Sequence, residues 1–221
     1  MGTSTLRIAG RSTRVELEGR PGAELVVKGG RAEVRDDGTI EVTPTESRVQ
    51  VTCPEHADVV ISTASGSVRI SGHVASLKVI TASGKVDVER AVDVDVRTRS
   101  GSVSIDSCVN ACRIVTSSGA VSVGDAHDVD VSTMSAKVRV GRTDLADVRT
   151  TSGSVVVGAG AWARVAARSM SGRVEIALPR GSAATMRLSS TSGRIERDVP
   201  EGEGATVDVS TMSGAIRVGS A

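Results

Sequence analysis

The chain has almost no aromatic side chains, with no Phe, no Tyr and one Trp in 221 residues. Proteins that bind single-stranded nucleic acid stack the bases on aromatic rings, so that function is disfavoured, as is carbohydrate binding on aromatic platforms. The charge is also nearly balanced, with 27 basic and 26 acidic side chains. A dedicated binder of nucleic acid or of an anionic membrane needs a basic excess, which this chain lacks. No segment approaches the ~18 apolar residues of a membrane-spanning helix.

Cysteine is scarce as well. The three cysteines, Cys53, Cys108 and Cys112, are an odd number without the spacing of a disulfide framework, which indicates reduced, structural thiols. Cys108 and Cys112 are four residues apart, but no second Cys or His pair accompanies them to complete a metal site. We therefore expect neither a metal nor a cofactor.

The beginning of the chain lacks the apolar run of a secretory signal. This favours a cytoplasmic location over the alternative, the cell surface.

What the chain does have is a repeat. The pattern Thr-x-Ser-Gly, followed by alternating valines, recurs nine times at intervals of 17 to 21 residues. A fixed period in this range predicts thin units that fold only when they stack on one another. The glycine of the pattern, replaced by Ala once, stands at positions 66, 84, 101, 119, 136, 153, 172, 193 and 214.

Apolar residues occupy every second position on both sides of this glycine. In the first copy they are Val59 and Ile61 before it, and Val68 and Ile70 after it. Alternating β-branched residues are typical of strands with one buried face. Each copy therefore predicts two short strands joined at a Ser-Gly corner. We expect an all-β fold, a single-stranded parallel β-helix (β-solenoid) of about nine regular rungs of ~18 residues, with equivalent strands paired from rung to rung.

The corner carries two columns of hydroxyl side chains. A Thr or Ser lies three residues before the glycine and a Ser directly before it in all nine copies. Hydroxyls donate and accept, so stacked columns can bond from rung to rung. The glycine predicts a positive φ, which would cost ~1 kcal/mol at Ala136. Nine equivalent serines without an accompanying base favour this structural role over nucleophilic catalysis.

The two ends of the chain differ in pattern. Residues 1–55 lack the Ser-Gly column but alternate like strands, so they are predicted to form an irregular N-terminal β cap on the regular solenoid of residues 56–221. The last copy has the full repeat pattern and ends three residues before the chain does, which predicts an open edge that pairs with a second copy. The residues expected at this oligomer edge are Val207, Val209, Ile216 and Val218.

Two other features bear on function. Glu175 and Glu196 occupy the same column of consecutive repeats, so a paired-carboxylate site for polysaccharide hydrolysis is one hypothesis, although an outward charged pair is favoured. Trp162 follows Gly158-Ala-Gly-Ala in a lengthened loop, where we expect it to fold over the end of the core. The alternative role for Trp162 is that of a contact residue.

The segments Ile61-Ser-Thr-Ala-Ser-Gly-Ser-Val-Arg-Ile70 and Val209-Ser-Thr-Met-Ser-Gly-Ala-Ile-Arg-Val218 resemble the bacterial "putative adhesin" family of β-strand-repeat proteins, a domain of unknown function. The likeness covers residues 48 to 221. It implies a β-solenoid, and it brings no catalytic residues with it.

The sequence favours a non-enzymatic structural or interaction protein, a rigid solenoid that self-associates or presents a face to a protein partner. The alternatives are a cell-surface adhesin-like binding module and, less favoured, a β-helix enzyme acting on polysaccharide. No catalytic, cofactor or metal residues are predicted. The expected partners are further copies of the chain, joined through terminal rungs, and an unknown protein.

Overall fold

A computed structural model describes residues 5–220, and within them it contains 18 strands and no helix. The argument about a signal sequence falls partly on residues 1–4, which lie outside the described residues. The strands are β1 Thr5–Gly10, β2 Arg14–Arg20, β3 Val26–Lys28, β4 Gly30–Val34, β5 Ile40–Pro44, β6 Arg48–Pro54, β7 Asp58–Thr63, β8 Val68–Thr81, β9 Val86–Thr98, β10 Val103–Ser118, β11 Val121–Ser135, β12 Val138–Thr150, β13 Val155–Ser169, β14 Val174–Leu178, β15 Ala184–Ser190, β16 Ile195–Arg197, β17 Ala205–Thr211 and β18 Ile216–Ser220.

The chain divides into two compact units, residues 1–109 and 110–221. In both units, equivalent residues of successive repeats lie side by side in parallel strands. In the first unit Val68 is beside Val86, and in the second Val138 is beside Val155. The all-β solenoid predicted from the repeat is therefore confirmed.

The interior of each unit is built from small aliphatic side chains. The valines of the repeat columns are almost completely buried, and the largest fully buried side chains are leucines and isoleucines. A narrow rung has no room for an aromatic ring, which agrees with the absence of Phe and Tyr. Because each column repeats one shape, every rung fills the space left by its neighbour.

The first rung of the chain lies inside its unit. β1 pairs with β5 on one side and β7 on the other, and β2 pairs with β6 and β8 in the same way. The outer rung of this end is β5–β6. It is covered by two short antiparallel strands, with β3 against β6 and β4 against β5. The segment before residue 55 thus contributes two rungs and an antiparallel cap, while a domain boundary at residue 55 stays a prediction.

The last rung of the chain is also interior. β17 lies between β13 and β15, and β18 lies between β14 and β16. The open edge predicted at the last repeat is therefore wrong, because the chain places that repeat between two earlier ones. Its four residues are at most 1% exposed: Val207, Val209, Ile216 and Val218.

Candidate functional site

The Ser-Gly corner is a structural device. The hydroxyl three residues before the glycine accepts a hydrogen bond from the glycine N–H, at 3.1 Å from Gly84 to Thr81 and 2.8 Å from Gly172 to Ser169. This bond lies within one rung and closes the turn in the way that Ser and Thr close other backbone turns. Thr116 and Thr150 instead donate to the carbonyl two residues on, and these bonds satisfy the buried hydroxyls of the column except that of Thr133.

The serine directly before the glycine points outward and joins neighbouring rungs. Ser100 donates to the carbonyl of Ala82 at 3.4 Å, and Ser171 donates to that of Thr151 at 3.5 Å. The acceptor is therefore the backbone carbonyl of the adjacent rung. The sequence predicted hydrogen bonds between stacked hydroxyls, but these serines bond to backbone carbonyls instead. Ser12 and Ser65 are an exception, with their hydroxyl oxygens 3.1 Å apart.

The corner glycines are required by close approach. A Cβ on Gly172 would overlap the carbonyl oxygen of Gly153, the glycine of the neighbouring rung. Of the repeat glycines, Gly119 and Gly153 have a positive φ, so the predicted conformation is wrong for the others. Ala136 is buried and has an ordinary negative φ, so the expected strain at that position is absent.

The order of the rungs contradicts the hypothesis of a paired-carboxylate site, because Glu175 and Glu196 do not lie on adjacent strands. Glu175 pairs in register with Arg217, and Arg217 pairs in register with Glu196. The two carboxylates are thus two strand spacings apart, roughly 10 Å, with a guanidinium between them. The Arg217 guanidinium donates to Asp198 at 3.4 Å, and the strand of Arg217 occupies the space where a glycosidic bond would lie.

The outermost strands of the second unit, β15 and β16, are paired on one side along most of their length. β15 lies against β17 and β16 against β18. Their inward side chains Met186, Leu188 and Ile195 are half-exposed, whereas the equivalent residues of the rung beneath are almost completely buried. On the other side of β15, the backbone of the described chain pairs only with its first residue, Ala184, through residues 200–202. We name these two strands, residues 184–190 and 195–197, the open edge.

The hydrogen bonds of Ala184, the first residue of the open edge, indicate which backbone groups of the edge are unpaired. The Ala184 N–H donates to the Pro200 carbonyl, and the Ala184 carbonyl accepts from the Gly202 N–H. Successive residues of a strand direct these groups to opposite sides. The N–H and C=O groups of Met186, Leu188 and Ser190 therefore face away from β17, as a template for one more strand.

The charged side chains of residues 184–197, the open edge and the turn within it, are mostly basic. Residues 184–197 contain three arginines, Arg187, Arg194 and Arg197, and one carboxylate, Glu196. Arg187 and Arg197 are exposed, and Arg194 lies 3.8 Å from Glu196. The open edge thus combines unpaired backbone groups and half-exposed apolar side chains, and residues 184–197 together carry a net charge of 3 − 1 = +2.

Shallow depressions in the first unit are a weaker candidate, because their charges cancel. They share Arg69, which lies 3.9 Å from Asp87, and Asp87 also pairs with Lys85 at 2.8 Å. Beside them the Arg48 guanidinium donates to Glu16 and holds the pKa of that carboxyl below its usual range. Together the three depressions are lined by five basic and five acidic side chains, so no charge of one sign dominates them.

Trp162 is 80% exposed. Relative to β12, the ladder of β13 shifts register in this region, so residues 160–162 bulge outward while Ala159 and Ala163 on either side stay buried. The expectation that Trp162 folds over the core is therefore wrong, and the alternative role, that of a contact residue, stays a prediction.

The three cysteines are all buried at about 1% exposure. Burial raises the pKa of the Cys53 thiol to about 11 from a reference of 9.0. The folded protein thus holds this proton more tightly than the unfolded chain does. The stabilising contribution of the thiol is complete below pH 9.0 and is lost as the pH rises towards about 11.

We expect a thiol reagent to label Cys53 slowly in the native protein at pH 8, because the thiolate is the reactive form and is scarce there. Labelling should become fast in denaturant and, in the native state, as the pH approaches 11. Rapid native labelling at pH 8, measured residue by residue by mass spectrometry, would contradict the buried position.

Within residues 5–220, no group of three or more His, Cys, Asp and Glu side chains is placed to hold a metal ion. The same part of the chain contains no helix long and apolar enough to cross a membrane.

These features define a class, an all-β solenoid of stacked two-strand rungs with an open edge. Residues 23–220 match the model of the Toastrack DUF4097 family, and the chain belongs to that family. This confirms that the Ser-Gly rung marks a domain of unknown function with a β-repeat fold. A search of the curated proteins finds no match.

Two solved structures are similar over nearly the whole chain. One is described as a putative adhesin from Bacteroides fragilis NCTC 9343, with 11% identity, a TM-score of 0.49, and coverage of 98% of this chain and 93% of that one. The other is described as a putative cell adhesion protein from Clostridium sporogenes ATCC 15579, with 10% identity, a TM-score of 0.27, and coverage of 99% and 93%.

Proposed function

We propose that this Toastrack protein is a non-enzymatic interaction module whose open edge accepts a β-strand from another protein chain. The observation that carries the proposal is the one-sided pairing of β15 and β16, with Met186, Leu188 and Ile195 half-exposed. Strand addition to such an edge pairs the unsatisfied backbone groups and covers the apolar side chains in one step.

The other outer rung supports this assignment by contrast. At the end formed by β5 and β6, the chain supplies its own antiparallel strands, β3 and β4. Natural proteins cover or blunt edges that would otherwise pair with other chains. The first unit covers its own outer rung, whereas the open edge of the second unit is left for a partner.

A non-enzymatic role is favoured by the use of the polar residues. Most corner hydroxyls are engaged in backbone hydrogen bonds, and Arg217 separates the one pair of carboxylates that the sequence offered for hydrolysis. The acids of the first-unit depressions pair with neighbouring bases.

The sequence predicted pairing with a second copy through terminal rungs. At the open edge, which lies at β15 and β16 and not at the last repeat, such pairing is less favoured. Each copy would bring residues 184–197 with a net charge of +2, and like charges across a strand pair are destabilising. A different protein is the favoured partner. Self-association through the open edge, if light scattering detected it, would be strongest at high salt.

The proposal is tested with a synthetic strand that carries no charge. A peptide with the sequence of residues 205–220, in which Asn replaces Asp and Gln replaces Arg, has the two-strand outline of a rung. We expect it to bind the full chain and to slow amide exchange at Met186, Leu188 and Ser190. The same peptide with Pro in the centre of its first strand should not bind, because Pro cannot donate to a strand ladder.

Two variants locate the binding. Leu188→Lys places a charge on the open edge and should abolish binding of the neutral peptide. Leu145→Lys, the same change at a residue 37% exposed on the interior strand β12, should leave it intact. Thermal unfolding checks that both variants fold. Binding that persists in folded Leu188→Lys, or no binding to the unmodified chain, would overturn the proposed function.

A further inference from the structure

Charges alternate from rung to rung where the stack approaches the open edge. In one column Asp208 lies in register with Arg187, and in the other Arg217 lies between Glu175 and Glu196. Adjacent opposite charges support the register of neighbouring strands, whereas like charges oppose it. A strand added to the open edge would place one residue next to Arg187 in the first column. It would place another next to Glu196 in the second column.

We propose that the strand accepted by the open edge carries an acidic residue opposite Arg187, flanked on both sides by apolar residues. This inference rests on the proposed function and names the chemistry of its partner, an extended acidic–apolar segment of a different protein. The rung beneath already has this pattern, with Val207, Asp208 and Val209 beside Met186, Arg187 and Leu188. A partner with the same alternation would repeat that contact on the outer side.

The apolar positions follow from the backbone. Because the unpaired N–H and C=O groups belong to the residues whose side chains face the core, an added strand in parallel register places its own inward side chains over Met186 and Leu188. These are the half-exposed side chains of the open edge. The outward position between them then lies next to the exposed Arg187 guanidinium.

A second copy of the chain does not supply this acid. In a two-fold antiparallel pairing centred on Leu188, Arg187 faces Ser189 of the other copy, and in the pairing centred on Arg187 the two guanidinium groups face each other. Neither arrangement neutralises Arg187. The charge pattern therefore favours a different protein over self-association.

The experiment compares three forms of the peptide of residues 205–220: the native sequence, the neutral form, and a charge-swapped form with Arg in place of Asp and Glu in place of Arg. Against the unmodified chain at low salt, we expect the native peptide to bind about tenfold more tightly than the swapped one, with the neutral peptide between them. Raising the salt should shrink this ratio, because exposed charge pairs are screened.

The most direct test reverses the charge of Arg187 on the open edge. In Arg187→Glu the preference should invert for a peptide whose only change is Asp to Lys opposite that residue. Arg168→Glu makes the same change at an exposed residue of the interior strand β13 and should keep the original preference.

Four results would overturn the inference. If the neutral peptide binds but the charged forms bind equally well, strand addition holds and the acidic partner is wrong. If Arg187→Glu fails to invert the preference while remaining folded, the acid does not face Arg187. A dimer at low salt that Leu188→Lys disrupts would make a second copy the occupant. If no peptide binds, the proposed function fails together with the inference.

Discussion

Replacement of Gly172 by Ala is expected to destabilise the protein by about 3 kcal/mol or more, which places it among the largest single-substitution effects. The added Cβ would overlap the Gly153 carbonyl, and Gly172 itself stands in the same relation to Gly214 of the next rung. Neither neighbour can move without breaking the ladder that holds the rungs together. Denaturant unfolding followed by circular dichroism measures the loss.

Gly219→Ala is the matched control. A Cβ at Gly219 meets no atom closer than 3.7 Å, so the free energy of unfolding should change by less than about 0.5 kcal/mol. Gly172 and Gly219 both have an ordinary φ, so backbone strain does not distinguish the two substitutions. Equal effects of the two would show that the corners do not approach as closely as described.

The second large effect concerns the order of the rungs. Val209→Lys is expected to cost at least about 4 kcal/mol and to unfold the second unit, because Val209 is fully buried between β13 and β15 and an unpaired buried charge is very unfavourable. Leu188→Lys, in the same column of the next rung, should cost only about 1–2 kcal/mol, because the lysine ammonium can reach water at the open edge.

Comparing Val209→Lys with Leu188→Lys distinguishes the described order of the rungs from stacking in chain order, two arrangements that the repeat pattern does not distinguish. If the rungs stacked in chain order, Val209 would be the edge residue and Leu188 the interior one, and the ranking would be reversed. Urea titrations of both variants measure it directly. A smaller loss for Val209→Lys than for Leu188→Lys would contradict the described pairing.

The repeat was enough to predict the strands, the buried columns and the parallel stacking. Each column keeps one chemical type at one spacing, and alternation of this kind has a single physical interpretation as a half-buried strand. Val68 beside Val86 is a direct example. The family resemblance rested on the same residues, and it too is confirmed.

The order of the rungs could not be predicted, for the same reason. Because all repeats present equivalent columns, Val209 fits beside Ala167 as well as beside Leu188, and the hydrophobic pattern does not distinguish the neighbours. The choice depends on the connections at residues 179–183 and 198–204, whose sequences carry no repeat signal. The open edge was therefore assigned to the wrong repeat.

The corner glycine shows a second limit. A glycine recurring at a turn is compatible with a positive φ, which was predicted, and also with a close approach of two backbones, and the sequence alone does not distinguish the two. The stacked geometry decides for close approach at Gly172. Ala136 shows that the column admits one Cβ where the local backbone allows it.

The interior position of the first and last rungs has a mechanical consequence. In a solenoid stacked in chain order, tension on the backbone peels the terminal rungs away one at a time. Here tension entering at β1 or leaving at β18 acts on strands that are hydrogen-bonded on both sides. Two ladders must then yield together before the first rung is released, so both units should resist pulling with a higher unfolding force than their thin rungs suggest.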